Sequence, residues 1–151
     1  MAKNTIKIKN YSNVIEERAA VAAITPGMLL ELTSADKVQA HSTARGDVCP
    51  PMFALENELE GQGITDAYAA DDQVQVWIPN RGDQVYALLA DGETATIGEK
   101  LVSDGNGYLL CYTGDSATQE KIVGIALEAV DRSTSSGGDT NVTGRIEIMV
   151  I

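Results

Sequence analysis

Between Gly82 and Asp131 short apolar runs alternate with Asp-Gly and Asn-Gly turns: Val-Tyr-Ala-Leu-Leu-Ala before Asp91-Gly92, Lys-Leu-Val-Ser before Asp104-Gly105-Asn106-Gly107, then Tyr-Leu-Leu-Cys-Tyr and Ile-Val-Gly-Ile-Ala-Leu. Asp-Gly and Asn-Gly supply the positive φ that tight hairpins need, and the runs between them have strand length. A chain punctuated this often has no room for long helices. The expected class is mostly β, a single compact barrel-like domain.

The rest of the chain continues the pattern. Lys3 to Lys9 alternates with period two, Ile6 and Ile8 on one face and Lys7 and Lys9 on the other. Asn10 to Asn13 breaks it. Val14 to Ile24 is rich enough in Ala and Glu for a helix, but Pro26 biases Thr25 away from α, so we expect an extended lead-in and first strand. Met28 to Thr33 and Lys37 to His41 form a hairpin, echoed weakly by Lys100 to Val102 and Tyr108 to Tyr112, each preceded by a glycine. Val74 to Ile78, Gln84 to Ala90, Ile122 to Val130 and Arg145 to Ile151 are further strands, the last expected to close the sheet. Ser42 to Gln73 is irregular apart from an apolar cluster, Met52 to Leu55, and a loop this long usually serves function or packs on a neighbour. Asp131 to Gly144 reads as a flexible Ser/Gly/Thr-rich loop.

A chain of 151 residues with 44% hydrophobic side chains can build a real core; one this long buries roughly 68–70% of its extended surface. Only 5% of residues are aromatic, so Val, Ile, Leu and Ala must fill it. A net charge of −11 disfavours nucleic acid and anionic membranes as partners. Charge is uneven: through Arg18 the balance is +2, and over the remainder −13. That asymmetry suggests a basic arm over residues 1–18, leaving a barrel domain at 19–151 and lying on an acidic neighbour, with Lys3, Ile6, Lys7, Ile8, Lys9 and Tyr11 as its contacts. Met52, Phe53 and Leu55 are candidate contacts between subunits of a homotrimer. The start lacks the apolar core of a signal peptide, which points to synthesis in cytoplasm.

Residues that could carry chemistry are few. His41 stands alone, without a nucleophile motif. Asp66, Asp71 and Asp72 lack the ligand spacing of a calcium loop. Cys49 and Cys111 are far apart and read as buried free thiols, so neither metal nor cofactor is expected. Arg-Gly-Asp occurs by chance at Arg45–Asp47 and Arg81–Asp83, and at the second copy Gly-Asp is turn chemistry. Asn141-Val142-Thr143 fits a glycosylation acceptor with no secretory context. Gly63-Ile-Thr-Asp-Ala-Tyr68 looks like a motif of trimeric dUTPases, but the Arg- and Gly-rich C-terminal segment of those enzymes is missing. The expectation is no enzyme.

One resemblance covers nearly the whole chain. Ile6-Lys-Ile-Lys-Asn-Tyr-Ser12, Thr25-Pro-Gly-Met-Leu29 with Val38-Gln-Ala-His41, Asp66-Ala-Tyr-Ala-Ala-Asp-Asp72, Arg81-Gly-Asp83, Leu88-Leu-Ala-Asp-Gly92 and Val123-Gly-Ile-Ala-Leu-Glu-Ala129, in that order, resemble the head decoration (cement) proteins of tailed bacteriophages. The resemblance implies a β-barrel or β-tulip body that trimerises on the outer surface of the capsid, in the virion. It implies binding to the major capsid protein after shell expansion, with an extended N-terminal arm reaching neighbours. A virion adhesin or tail-associated module, binding a host surface through Ser42–Gln73 or Asp131–Gly144, is the alternative.

Overall fold

One strand plan is used twice along this chain. The computed structural model describes residues 3–11, 13–115, 119–133 and 144–151. The plan runs first through β2 (Ile15–Ala19), β3 (Leu29–Leu32), β4 (Val38–Ala40), β5 (Met52–Ala54) and β6 (Gln73–Trp77). It runs again through β7 (Gln84–Leu88), β9 (Lys100–Ser103), β10 (Leu109–Cys111), β11 (Ile122–Ala126) and β13 (Arg145–Val150). The first set is ordered β2-β6-β5-β3-β4 and the second β7-β13-β11-β9-β10, with β1 (Lys7–Lys9) added outside β7. A separate pair joins β8 (Thr94–Ala95) to β12 (Val130–Asp131). Its counterpart in the first half is a bridge between Ile24 and Tyr68.

The agreement extends to individual hydrogen bonds. Ala19 lies opposite Gln73 as Leu88 lies opposite Arg145, and Phe53 opposite Trp77 as Ile125 opposite Met149. Leu55 N–H donates to Gln75 O at 2.9 Å, and Leu127 N–H to Glu147 O at 2.8 Å. The weak sequence echo is the visible trace of this plan. Thr25-x-Gly27 and Thr96-x-Gly98 both turn into the hairpin strand, Gly27 at φ +91° and Gly98 at φ +85°, a region glycine enters without a Cβ clash. Their N–H groups reach Ala54 O and Ala126 O, each at 2.8 Å.

The mostly-β, compact expectation holds, but neither sheet is a closed barrel. Each curls until the residue after its first strand meets its last strand at one parallel bridge, Ala20 with Val38 and Leu89 with Leu109. Strands of three to six residues are too short to carry a full ladder around that seam. β13 does not close the second sheet either; it lies between β7 and β11.

The two halves share one core. Leu29, Phe53, Leu55 and Trp77 of the first pack with Val85, Leu101, Leu109, Ile146 and Ile148 of the second. A smaller cluster on the other face of the first sheet holds Leu30, Val38, Met52, Val74, Val76 and Tyr68. Each fully buried aliphatic or aromatic side chain contributes about 1.5–3 kcal/mol. The low aromatic content is offset by many buried Val, Ile, Leu and Ala.

Candidate partner-binding surfaces

The N-terminal segment belongs to the body, which corrects the expectation of a separable arm over 1–18. Lys7 pairs with Val85 and Lys9 with Gln84, and β2 crosses the expected boundary to pair with β6. Ile6 is 0% exposed and packs in the shared core, so it does not face a neighbour. Its N–H donates to Glu56 Oε2 at 3.2 Å, and its carbonyl accepts from Tyr86 N–H at 2.8 Å. Lys3 is ion-paired within the chain to Glu147 at 2.5 Å and Glu128 at 3.4 Å. Partial burial pulls its pKa down, but the two carboxylates outweigh that and the net direction is up. Lys7 Nζ donates to Asn13 Oδ1 at 2.9 Å. Ile8 is half-buried; Lys9 and Tyr11 remain exposed, the Lys9 ammonium 5.3 Å from the Tyr11 ring centre.

Met52, Phe53 and Leu55 are also corrected. They are 7%, 0% and 3% exposed, on or beside β5 in the middle of the first sheet, and need no neighbouring subunit to cover them. Both faces of β5 are buried, so its sequence is a continuous apolar run without alternation.

The polar side chains singled out in the sequence serve the scaffold. His41 is buried, not at the surface: Nδ1 accepts from Ser103 Oγ–H at 2.7 Å when Nε2–H donates to Asp47 O at 2.9 Å, so the neutral ring is satisfied at both nitrogens. Ser103 is itself 0% exposed, out of reach of a substrate. Asp66 Oδ2 accepts from Gly63 N–H at 2.8 Å, as a turn cap does. Tyr68 is buried with its hydroxyl on Leu55 O at 2.8 Å, and burial pushes its pKa up to about 12. In the dUTPase-like segment Asp66 thus serves a turn and Tyr68 the core.

Of the two Arg-Gly-Asp sequences, Asp83 is fully buried and Arg45 is ion-paired to Glu120. Glu120, missed in the sequence, gathers Thr113 N–H, Gly114 N–H and Arg45 onto one carboxylate. Nothing local in the sequence signals it, because Arg45 is remote along the chain. Among the described residues no group of three or more His, Cys, Asp or Glu side chains could hold a metal. Asn141 to Thr143 and most of the Asp131–Gly144 loop lie outside the described residues.

Two clefts remain. One of about 260 Å³ is lined by Glu31, His41, Asp47 and Cys49. Glu31 loses some ionisation to burial, but hydrogen bonds from Ser42 and Gln39 more than compensate and its pKa falls. The other, about 380 Å³, is lined by Tyr108, Arg132 and Arg145. Arg145 donates to Pro26 O at 2.8 Å and Ile64 O at 2.5 Å, and burial lowers its pKa. In the walls of these clefts His41, Glu31 and Arg145 are already hydrogen-bonded within the chain.

One run of exposed apolar side chains follows the N-terminal strands. Tyr11 is 68% exposed, Val14 47% and Ile15 36%, with Glu16 and Glu17 exposed beside them. Among the described residues β2 pairs on one side only, with β6.

Compared with known proteins, no family model matches the sequence, and no curated protein does. The fold is similar to that in the crystal structure of the head fiber gp8.5 N base of bacteriophage phi29. The match has a TM-score of 0.59 and 12% identity, covering 93% of this chain and 95% of that one. At that identity the likeness establishes a common fold, along almost the full length of both chains.

Proposed function

We propose that this protein is a structural component of a tailed-phage virion, a decoration protein seated on the outside of the expanded head. There it stabilises contacts between major capsid proteins. The observation that carries this reading is the end-to-end fold likeness to a phage head fiber base. The residues support it: polar side chains are spent on the scaffold, and exposed apolar groups lie along a strand edge, which suits a protein that works by burying interface area. In this reading the protein has no enzymatic role, and a homotrimer forms without Met52, Phe53 or Leu55 at its contacts.

Negative-stain imaging of purified protein mixed with expanded heads that lack it tests the proposal. Density at regular lattice points is the expected result; no density on the heads overturns it. The neighbour's description as a fiber base favours one second reading, a module that carries or forms a host-binding adhesin. Density confined to the tail or to a few distal sites would favour that reading instead.

A further inference from the structure

The two halves differ at one matching place. In the second half the outer edge of β7 is covered: Lys7 lies opposite Val85, and Tyr86 N–H donates to Ile6 O at 2.8 Å. In the first half no strand among the described residues covers the matching edge, on β2. Val14 O accepts from Ile78 N–H at 3.0 Å and Ala20 N–H donates to Asp72 O at 2.9 Å. Antiparallel ladders alternate, so even-numbered residues of β2 bond inward to β6 while Ile15 and Glu17 point N–H and C=O outward. Glu17 occupies the position that Tyr86 holds in the second half, where the outward N–H is satisfied by a strand.

We infer that the free edge of β2 accepts an extended strand from a partner protein, one with an apolar end and a basic end. The apolar end lies beside Val14 and Ile15, 47% and 36% exposed. The basic end lies beside Glu16 and Glu17; the nearby cation, Arg18, is already paired with Glu16 and Asp36, leaving the edge net negative. Added strands gain main-chain hydrogen bonds from the edge and specificity from side chains beside it. The occupant is foreign to the chain: β1, its own strand of basic and apolar residues, is fixed on β7 by Ile6 in the core, and the same holds for β1 of a second copy. Under the capsid reading, on which the partner's origin rests, the strand comes from the shell.

The probe is a capped peptide, Thr-Lys-Lys-Val-Val-Thr, which runs antiparallel to β2 with lysines beside Glu17 and Glu16. Added to the full chain at saturating concentration, it should slow amide exchange at Ile15 and Glu17 by about tenfold, with no change at Glu16. The Glu-Glu analogue of the peptide should not. Glu17→Pro removes only an outward donor, a place where edge strands tolerate proline, and should abolish the effect with melting unchanged. Should that variant misfold, Glu17→Lys keeps the donor and should weaken the peptide by charge alone. No protection of Ile15 and Glu17, or equal protection by the acidic peptide, overturns the inference. So does self-association of the wild type that Glu17→Pro removes, since the edge then holds a second copy. If the peptide protects but no variant binds expanded heads, the capsid reading falls and the edge stands. If wild type and Glu17→Pro bind heads equally and the peptide protects nothing, the edge falls and the capsid reading stands.

Discussion

The amide of Tyr11 donates to the buried carboxylate of Asp83 at 2.6 Å, and the other oxygen of that carboxylate accepts from Asn80 N–H at 2.8 Å. One side chain thus ties the link between β1 and β2 to the turn between the halves. Asp83→Ala leaves these donors without their partner inside the protein. Such a loss costs about 1–3 kcal/mol, read as a lower denaturant midpoint with an unchanged slope. An unchanged midpoint would mean that water replaces the carboxylate without loss.

Ile6→Ala should be among the more damaging substitutions in the chain. The side chain is fully buried between the halves, and emptying such a site costs about 2–5 kcal/mol. Truncation through Lys9 should lower the melting temperature further, because β7 also loses the strand on its outer edge. Calorimetry of the truncated chain checks this; an unaltered melt would return the segment to the status of an appendage.

Cys49 and Cys111 should differ in reactivity. Cys49 is exposed, whereas burial, with Glu93 and Glu99 nearby, pushes Cys111 up to about 12. The thiolate is the reacting form, so at pH 8 a thiol reagent should modify Cys49 quickly and Cys111 slowly. The same shift has a sign for stability. The unfolded thiol loses its proton near pH 9 and the folded one near 12, so Cys111 contributes stability fully below pH 9 that is lost as pH rises towards 12. Cys111→Ala should flatten that part of an alkaline stability profile, and mass spectrometry counts the labelled thiols.

Purified protein should not hydrolyse dUTP or another nucleotide. Asp66 caps a turn and Tyr68 is buried. Turnover that disappears in Asp66→Asn would revive the enzymatic reading.

Much of the strand content was legible because turn glycines and period-two alternation are local signals. The alternation of Ile6 and Ile8 marked β1 as a strand, but not which sheet would receive it: strand order is set by distant pairings that no short window contains. β5 escaped for a related reason. Met52 to Leu55 has no polar face to alternate with, and such a run looks the same whether a neighbour or the chain's own sheets cover it. The burial of His41 has no local signal, because Ser103 and Asp47, which satisfy it, meet it only in three dimensions. The echo of one glycine-led hairpin by another was visible, yet too few residues repeat for sequence alone to mark two matched halves.

That repeated plan has a consequence for how the molecule can be divided. A cut in the turn before Asp83 would yield two fragments of similar size and identical strand order, each exposing the face it gives to the shared core. Neither is complete alone, yet together they hold every pairing of both sheets apart from the link between β1 and β7. The chain is in effect a heterodimer written as one polypeptide. Because its halves are not bound to remain identical, one of them keeps its flank sealed while the other is left open to company.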